Sequence, residues 1–134
     1  GYNKELEWFL LDYDYHKKLN IFIKDLNEFY LKSSELWEVD FSWDGFKWIS
    51  NDDFEQNIIS FKRINKSYNE LIVVVNFSPV KRDNYLIGAD EGIYKEVFNT
   101  DDEKYGGTGA GNKNFIKSKP GQLHGYKSSI SLTI

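Results

Sequence analysis

The apolar and polar positions of this chain follow two different periods, and the change between them falls close to residue 33. From Tyr15 to Leu31, apolar residues recur every three or four positions, with charged residues between them. This spacing predicts an amphipathic helix whose apolar face needs a partner surface. The preceding segment, Leu6 to Tyr13, is so apolar that we expect a buried turn or short helix there. The apolar helix positions are Leu19, Phe22, Ile23, Leu26, Phe29 and Tyr30.

After Glu35 the sequence changes to short apolar runs, rich in β-branched and aromatic residues, that are typical of strands. The polar loop 65–70 predicts a hairpin, Pro79 and residues 82–84 end the next strand, and residues 90–92 predict another tight return. Short strands at this spacing predict a mainly β fold, an antiparallel β-sandwich or barrel-like pair of sheets. The predicted strands are Ile58–Ile64, Leu71–Phe77, Tyr85–Ile87, Ile93–Phe98 and Ser128–Ile134.

The segment from Leu36 to Ile49 holds three of the chain's four tryptophans, interleaved with acidic residues. Flat aromatic rings beside carboxylates suit stacking on a sugar face while polar groups hold its hydroxyls. They equally suit a sheet corner that is sealed by large side chains, and the segment by itself favours this structural interpretation. A chain reversal near Gly45 would leave one ring outside, so Trp48 and then Trp43 are the candidate sugar-stacking residues.

Composition removes several classes of function. The formal net charge of −4 argues against a nucleic-acid partner, because neutralising phosphates needs a basic face. Without cysteine there is no thiolate metal site or disulfide, and we predict no metal and no cofactor. The absence of cysteine leaves the compartment open and favours the cytoplasm. No apolar run approaches the roughly 20 residues of a membrane span, so we expect no membrane partner. The chain has no methionine, and we expect it to be a piece of a longer protein.

Residues that carry chemistry elsewhere do not assemble into a catalytic pattern here. The glycine-rich stretch from Tyr105 to Asn112 lacks the following Gly-Lys-Ser/Thr and helix of a phosphate loop, and we interpret it as a demanding surface loop. Acidic groups such as Asp52 with Asp53, and residues 101–103, are expected to be solvated loop residues rather than a glycosidase pair. His16 and His124 have no serine elbow and no third orienting group between them, so they do not form a catalytic triad. From its residues alone, the chain is a noncatalytic domain.

The order of motifs resembles the C-terminal region of bacterial 1,4-alpha-glucan (glycogen) branching enzymes, over essentially the whole chain. The first-half motifs are Glu7-Trp8-Phe9-Leu10-Leu11-Asp12, His16, Asp25-Leu26-Asn27, Leu36-Trp37-Glu38-Val39-Asp40, Gly45-Phe46-Lys47-Trp48-Ile49 and Asp52-Asp53. The second-half motifs are Val74-Val75-Asn76-Phe77-Ser78-Pro79-Val80, Ile87-Gly88, Asn99-Thr100-Asp101, Tyr105-Gly106-Gly107-Thr108-Gly109 and His124-Gly125.

The resemblance implies a parent of the alpha-amylase superfamily that transfers a glucan segment to a 6-hydroxyl and so forms alpha-1,6 branches. Residues 1–32 would be the helical tail of its catalytic (β/α)8 barrel, and residues 33–134 its C-terminal all-β sandwich. The family's catalytic residues lie upstream, so none falls on this sequence. The implied partners are that barrel and alpha-glucan. The position of the aromatic segment in this family makes Trp37, Phe41 and Phe46 core or interdomain packing residues, which leaves Trp48 and Trp43 for glucan.

Two other interpretations stay open. One is a stand-alone glucan-binding module, and the other is a structural domain whose exposed surface makes contacts between copies of the chain.

Overall fold

The structure, a computed structural model, describes residues 13–39, 43–53 and 55–134, and the surroundings of side chains from Lys17 onward. The predicted turn or helix at residues 6–13 lies almost wholly outside the described residues, and so does Phe41. The described residues form a mainly β fold preceded by one helix, as the sequence predicts. The helix is α1 (Tyr13–Lys32), and the strands are β1 (Phe46–Asp53), β2 (Ile58–Ile64), β3 (Glu70–Asn76), β4 (Tyr85–Ala89), β5 (Ile93–Tyr94), β6 (Ile116–Lys117), β7 (Lys119–Leu123) and β8 (Tyr126–Leu132).

The strands form two three-stranded antiparallel sheets and a small two-stranded one. The first sheet has the order β1-β2-β3, the second has the order β4-β8-β7, and β5 pairs with β6. The inner faces of the first two sheets meet in one core. The buried core residues are Ile49, Ile58, Tyr85, Ile87, Ala89, Tyr126, Ile130 and Leu132.

Helix α1 packs on the segment that follows β5 rather than on a sheet face. The Phe29 ring stacks on Phe98 with centroids 5.0 Å apart, and Phe22 meets the edge of Tyr105 at 5.2 Å. The Tyr105 hydroxyl donates a hydrogen bond of 2.8 Å to Asp25. Because residues 22, 25 and 29 share one side of a helix, this contact uses a single stripe of α1. Part of the apolar helix surface predicted from the sequence is therefore covered within the chain.

The other apolar stripe of α1 remains exposed. Leu19, Ile23, Leu26 and Tyr30 follow the same three- and four-residue spacing around the helix, and each exposes between 36% and 47% of its surface. The helix thus presents two neighbouring stripes, one packed and one open.

Several strand predictions need correction. The predicted strand Ile93–Phe98 ends at Tyr94, because Phe98 turns away to pack on α1 and the Glu96 carboxylate accepts hydrogen bonds from Asn112. Strand β7 was not predicted, since its Lys-Pro-Gly-Gln-Leu sequence has low strand propensity and is tolerated at a sheet edge. Strand β6, only two residues long, was also not predicted. The tight return predicted at residues 90–92 does not join paired strands, because β4 and β5 belong to different sheets.

Candidate functional site

Four aromatic rings form one continuous surface at the start of β1. Phe46 lies at its centre: its ring stacks on Phe61 at 5.0 Å and meets the edges of Trp48 at 5.0 Å and of Trp43 at 6.0 Å. Trp48 also contacts Phe61, at 5.9 Å. We call these four residues the aromatic surface. The structure therefore brings the two sequence-predicted residues, Trp43 and Trp48, together through a third ring.

Strand geometry explains why these rings share a face. Side chains alternate along a strand, so Phe46 and Trp48 point the same way, and the register places Trp48 directly opposite Phe61 on β2. A bulge follows, because the register shifts between Trp48 and Ser50, which lets Ile49 and Ser50 both be buried. The bulge leaves Trp48 as the last outward ring of β1.

A glycine sets the position of Trp43. Residues Trp43–Gly45 form a short 3-10 turn that leads into β1. A Cβ atom on Gly45 would lie 2.3 Å from the carbonyl oxygen of Val39, so only glycine permits this close approach of two backbone segments. The turn carries Trp43 to the outside, where 82% of its surface is exposed, compared with 43% for Trp48. Both rings have accessible faces on which a flat apolar ligand surface can stack.

Trp37 and Phe46, both predicted from the sequence to be packing residues, differ in their surroundings. The Trp37 ring is 41% exposed, but its indole Nε1 donates a 2.9 Å hydrogen bond to the carbonyl of Tyr30 near the end of α1. Phe46 is half-buried and packs among the aromatic surface rather than in the core between the sheets. Sequence reasoning missed Phe61, which only strand register places beside Trp48.

The aromatic surface continues into an apolar outer face of the first sheet. Opposite residues in the register share a face, and β3 contributes Leu71, Val73 and Val75 to the same side as Phe61. All three are only partly buried. An antiparallel sheet with a solvated outer face normally carries polar residues there, so this face has the composition of a surface that is covered. At one edge, Arg63 donates hydrogen bonds to the carbonyls of Glu35 and Leu36.

The glycine-rich loop is organised around Asp101. Its carboxylate accepts hydrogen bonds from the Thr108 backbone and hydroxyl and from the Ala110 backbone, and these bonds hold the pKa of Asp101 below its ordinary value. Gly106 and Gly109 take positive φ angles of 89° and 80°. The loop is therefore an ordered turn that supports Tyr105 against α1, in line with its interpretation as a conformationally demanding loop. The prediction that its acids are merely solvated is wrong for Asp101.

A lysine lies between the sheets. Lys62 is 2% exposed, and its ammonium binds Asp90 at 2.7 Å and Glu70 at 3.1 Å. It also lies 4.7 Å from the centre of the Tyr126 ring. Burial alone would lower the pKa of Lys62, but the bonds to Asp90 and Glu70 outweigh it and raise that pKa above its ordinary value. These contacts make Lys62 a satisfied structural cation.

The remaining candidates take structural positions. Asp53 is not simply solvated, since it accepts hydrogen bonds from the Tyr85 hydroxyl and the Gln56 amide. His124 accepts a bond from the Gly88 backbone, while the side chain of His16 lies outside the described part of the chain. Within the described ranges, no group of three or more acidic or histidine side chains is placed to hold a metal ion. No described helix is long and apolar enough to cross a membrane.

The amino-acid sequence of the sheet region matches a known family. The profile of the family described as "Alpha amylase, C-terminal all-beta domain" matches residues 48–134, from Trp48 on β1 to the end of the chain. The chain belongs to this family. Its relatives give the same answer as the motif order in the sequence, which confirms the resemblance to the C-terminal region of branching enzymes.

Three relatives of this alpha-amylase C-terminal domain are named 1,4-alpha-glucan branching enzymes. The GlgB enzyme of Halothermothrix orenii is 47% identical over 100% of this chain and 22% of its own length. GlgB 1 of Clostridium perfringens strain 13 is 43% identical over 98% of the chain and 20% of its length, and GlgB of Aquifex aeolicus is 44% identical over 96% and 21%. The chain thus spans about a fifth of the length of these relatives.

Proposed function

We propose that this chain is the C-terminal accessory part of a 1,4-alpha-glucan branching enzyme, with no catalytic activity of its own. In this proposal residues 1–32 are the helical tail of the catalytic barrel and residues 33–134 are the sandwich domain. The relatives support it by name and by alignment along the whole chain. A cytoplasmic location belongs to the same proposal, because the chain has no cysteine for the disulfides common in exported proteins.

The observation that carries the accessory role is the apolar composition of two surfaces that the described residues leave partly or fully exposed. On the outer face of the first sheet, Phe61, Val73 and Val75 lie where a solvated sheet face normally carries polar residues, and Arg63 lies toward one end of it. The exposed stripe of α1, which includes Ile23 and Leu26, adds a second open apolar area. Surfaces of this kind mark interaction sites, and the occupant that we propose is the catalytic barrel of the same polypeptide.

A direct assay tests the noncatalytic part. We expect the purified chain to leave amylose unchanged, with no new reducing ends and no shift in the spectrum of the iodine complex. The branching enzyme of Aquifex aeolicus, in which the region similar to this chain makes up 21% of the length, serves as the positive control. Any transfer or release of glucan by the chain alone contradicts the proposal.

A second function, glucan contact, follows from the aromatic surface. Trp48 is the first stacking residue and Trp43 the second, because their rings are adjacent to Phe46 and both have exposed faces. Stacking of one sugar on one ring is worth about 1–3 kcal/mol by analogy with bases on aromatic rings, so binding by the isolated chain is weak. This function requires no catalytic group.

Tryptophan fluorescence decides between glucan contact and a purely packing role. We expect maltoheptaose, titrated to about 10 mM, to give a saturable change that Trp48→Ala removes. Trp37→Phe is the matched control, since it also removes one indole but lies outside the aromatic surface. A flat titration in the unmodified chain would rule out glucan contact by these rings.

Contacts between copies of the chain are the competing structural function. The same open apolar faces would then associate with each other, and the mass measured by light scattering would rise with concentration. A monomer that binds the dye ANS at all concentrations supports a surface reserved for the barrel instead.

A further inference from the structure

A cavity of about 560 Å³ opens where the end of β1 meets the start of β4 and the turn between β7 and β8. It shares no residue with the aromatic surface. Its volume falls within the range of about 300–1,000 Å³ that is usual for ligand pockets, and it is a cleft open to solvent rather than an enclosed cavity. Three of the groups that line it are held in fixed positions and point to a particular class of ligand.

His124 offers a hydrogen-bond donor to this cavity. His124 and Gly125 join β7 to β8 in a two-residue turn, with φ angles of 51° and 82°. The His124 Nδ1 atom accepts a 3.0 Å hydrogen bond from the backbone N–H of Gly88. Since Nδ1 is an acceptor, the neutral imidazole carries its proton on Nε2, which is then a donor. A Cβ atom on Gly88 would lie 3.0 Å from the His124 Cβ, so glycine permits this approach.

Asp53 offers an acceptor. The Tyr85 hydroxyl and the Gln56 amide both donate to its Oδ2 atom, the amide at 3.3 Å. Burial and the hydrogen bond to Asp53 raise the pKa of Tyr85, so its hydroxyl keeps the proton that it donates. Among the described contacts, Oδ1 of Asp53 is left to accept from a ligand.

Arg82 offers a second donor that has no partner. Its backbone is fixed by two hydrogen bonds with Ile134, of 2.7 Å and 2.9 Å. Its side-chain Nε is buried and has no hydrogen-bond partner among the described residues. A buried donor without a partner costs free energy, and a shift of the Arg82 side chain that turned Nε toward a ligand oxygen would remove that cost.

We propose that this cavity binds a glucose unit of alpha-glucan, a neutral ligand whose hydroxyls both donate and accept hydrogen bonds. The charges lining the cavity balance, with Asp53 and Asp83 against Lys81 and Arg82. Balanced charge disfavours an anion, whereas alternating donors and acceptors beside Leu86 and Leu123 fit a sugar ring. The choice of glucan rests on the proposed function, but the cavity is a binding site separate from Trp48 and Trp43.

NMR spectroscopy of the whole 134-residue chain tests the cavity directly. We expect maltoheptaose, up to about 10 mM, to shift the His124 imidazole and Leu86 amide signals in a saturable way. Arg82→Gln should weaken this binding at least about fivefold, the order expected for one lost hydrogen bond. Lys127→Gln, an exposed charge change on the outer face of the second sheet, is the matched control and should leave the binding unchanged.

A second variant, Gln56→Ala, keeps the test decisive if Arg82→Gln does not fold. Gln56→Ala keeps the backbone pairing of Arg82 with Ile134 and should also weaken the response, because it removes a donor beside Asp53. Unchanged binding in both variants, with native spectra, overturns the proposal. The proposal is also overturned if the His124 and Leu86 signals do not shift with maltoheptaose, or if they shift with inorganic phosphate instead.

The two glucan sites fail separately. A response at the Trp48 indole with none at His124 or Leu86 overturns the cavity and leaves glucan contact by the aromatic surface intact. A response at His124 and Leu86 with a silent Trp48 indole supports the cavity and removes the tryptophan site.

Discussion

The outer faces of the two main sheets differ in composition, although their inner faces share one core. On the second sheet, Ser129, Ser131 and Lys127 point outward, and Leu86 is a lone exposed apolar residue. On the first sheet, the corresponding face carries Phe61, Val73 and Val75. The second sheet therefore follows the usual pattern of an antiparallel sheet in water, while the first resembles a sheet buried on both sides. The outer face of the first sheet is the one to which the proposed contact with the catalytic barrel is assigned.

The largest expected difference in stability is between a core residue and a residue on the outer face of the first sheet. Ile87 has no exposed surface, so Ile87→Ala should lower the free energy of unfolding by about 3 kcal/mol. Val73 is only partly buried on the outer face of the first sheet, and Val73→Ala should cost about 1 kcal/mol or less. Urea denaturation measures both. Equal losses would show that the outer face is already covered within the chain.

Changes around the buried ammonium of Lys62 should have the next largest effect on the free energy of unfolding. Asp90→Asn combined with Glu70→Gln leaves the Lys62 ammonium buried without its carboxylates, and should cost roughly 2–3 kcal/mol. Lys62→Met removes the charge and keeps the side-chain volume, while the half-exposed carboxylates remain solvated, so it should cost less than about 1 kcal/mol. Denaturation at neutral pH compares the two. A larger loss for Lys62→Met would mean that the ion pair itself stabilises the fold.

The loop that supports the packed stripe of α1 should show a dependence on pH. The folded state lowers the pKa of Asp101 below 3.8, so its ionised form stabilises the fold above that value and the contribution is lost as pH falls through the lower, folded pKa. Asp101→Asn should therefore cost about 1 kcal/mol at neutral pH, and this cost should shrink in acid.

Unfolding curves at several pH values test the Asp101 prediction. Glu103→Gln, an exposed change in the same loop, is the control and should stay within about 0.5 kcal/mol of the unmodified chain. A cost for Asp101→Asn that persists at low pH would contradict the role assigned to its charge.

Polar substitutions on the outer face of the first sheet should change stability least, and they test directly whether the two outer faces differ. Val73→Thr with Val75→Thr keeps the shapes of two partly exposed side chains and should change stability by less than about 1 kcal/mol. We nevertheless expect the fluorescence of bound ANS to fall, because the apolar outer face becomes more polar. Leu86→Thr on the second sheet is the matched control. If it lowers the fluorescence as much, the two faces do not differ as receptors for apolar partners.

The sequence predicted those parts of the fold that depend on local pattern. The β-branched run of β2 was placed at its observed bounds, and the amphipathic spacing placed α1 within two residues at its start and one at its end. Strand β7 was missed because Pro120 and Gly121 weaken any strand signal, and only pairing with β8 makes it a strand. Trp43 and Trp48 were found by composition, whereas Phe61 joins them only through register.

The cavity lined by Asp53, Arg82 and His124 shows more clearly which features the sequence cannot predict. Asp53, Arg82 and His124 come from three separate segments, and nothing in the sequence around any of them shows that the three line one cavity. His124 was noted, but its role depends on the backbone of Gly88 in another strand. Long-range pairing, not local propensity, creates this kind of site.

Lys62 has a consequence for which face of β2 and β3 turns toward the core. Both faces of β2 and β3 are apolar enough to enter a core, so hydrophobicity alone leaves it ambiguous which face turns inward. Moving the pairing by one residue would reverse the faces and separate the Lys62 ammonium from Asp90 and the Tyr126 ring. A single buried cation with fixed partners thus favours one of two registers that the apolar pattern alone does not distinguish.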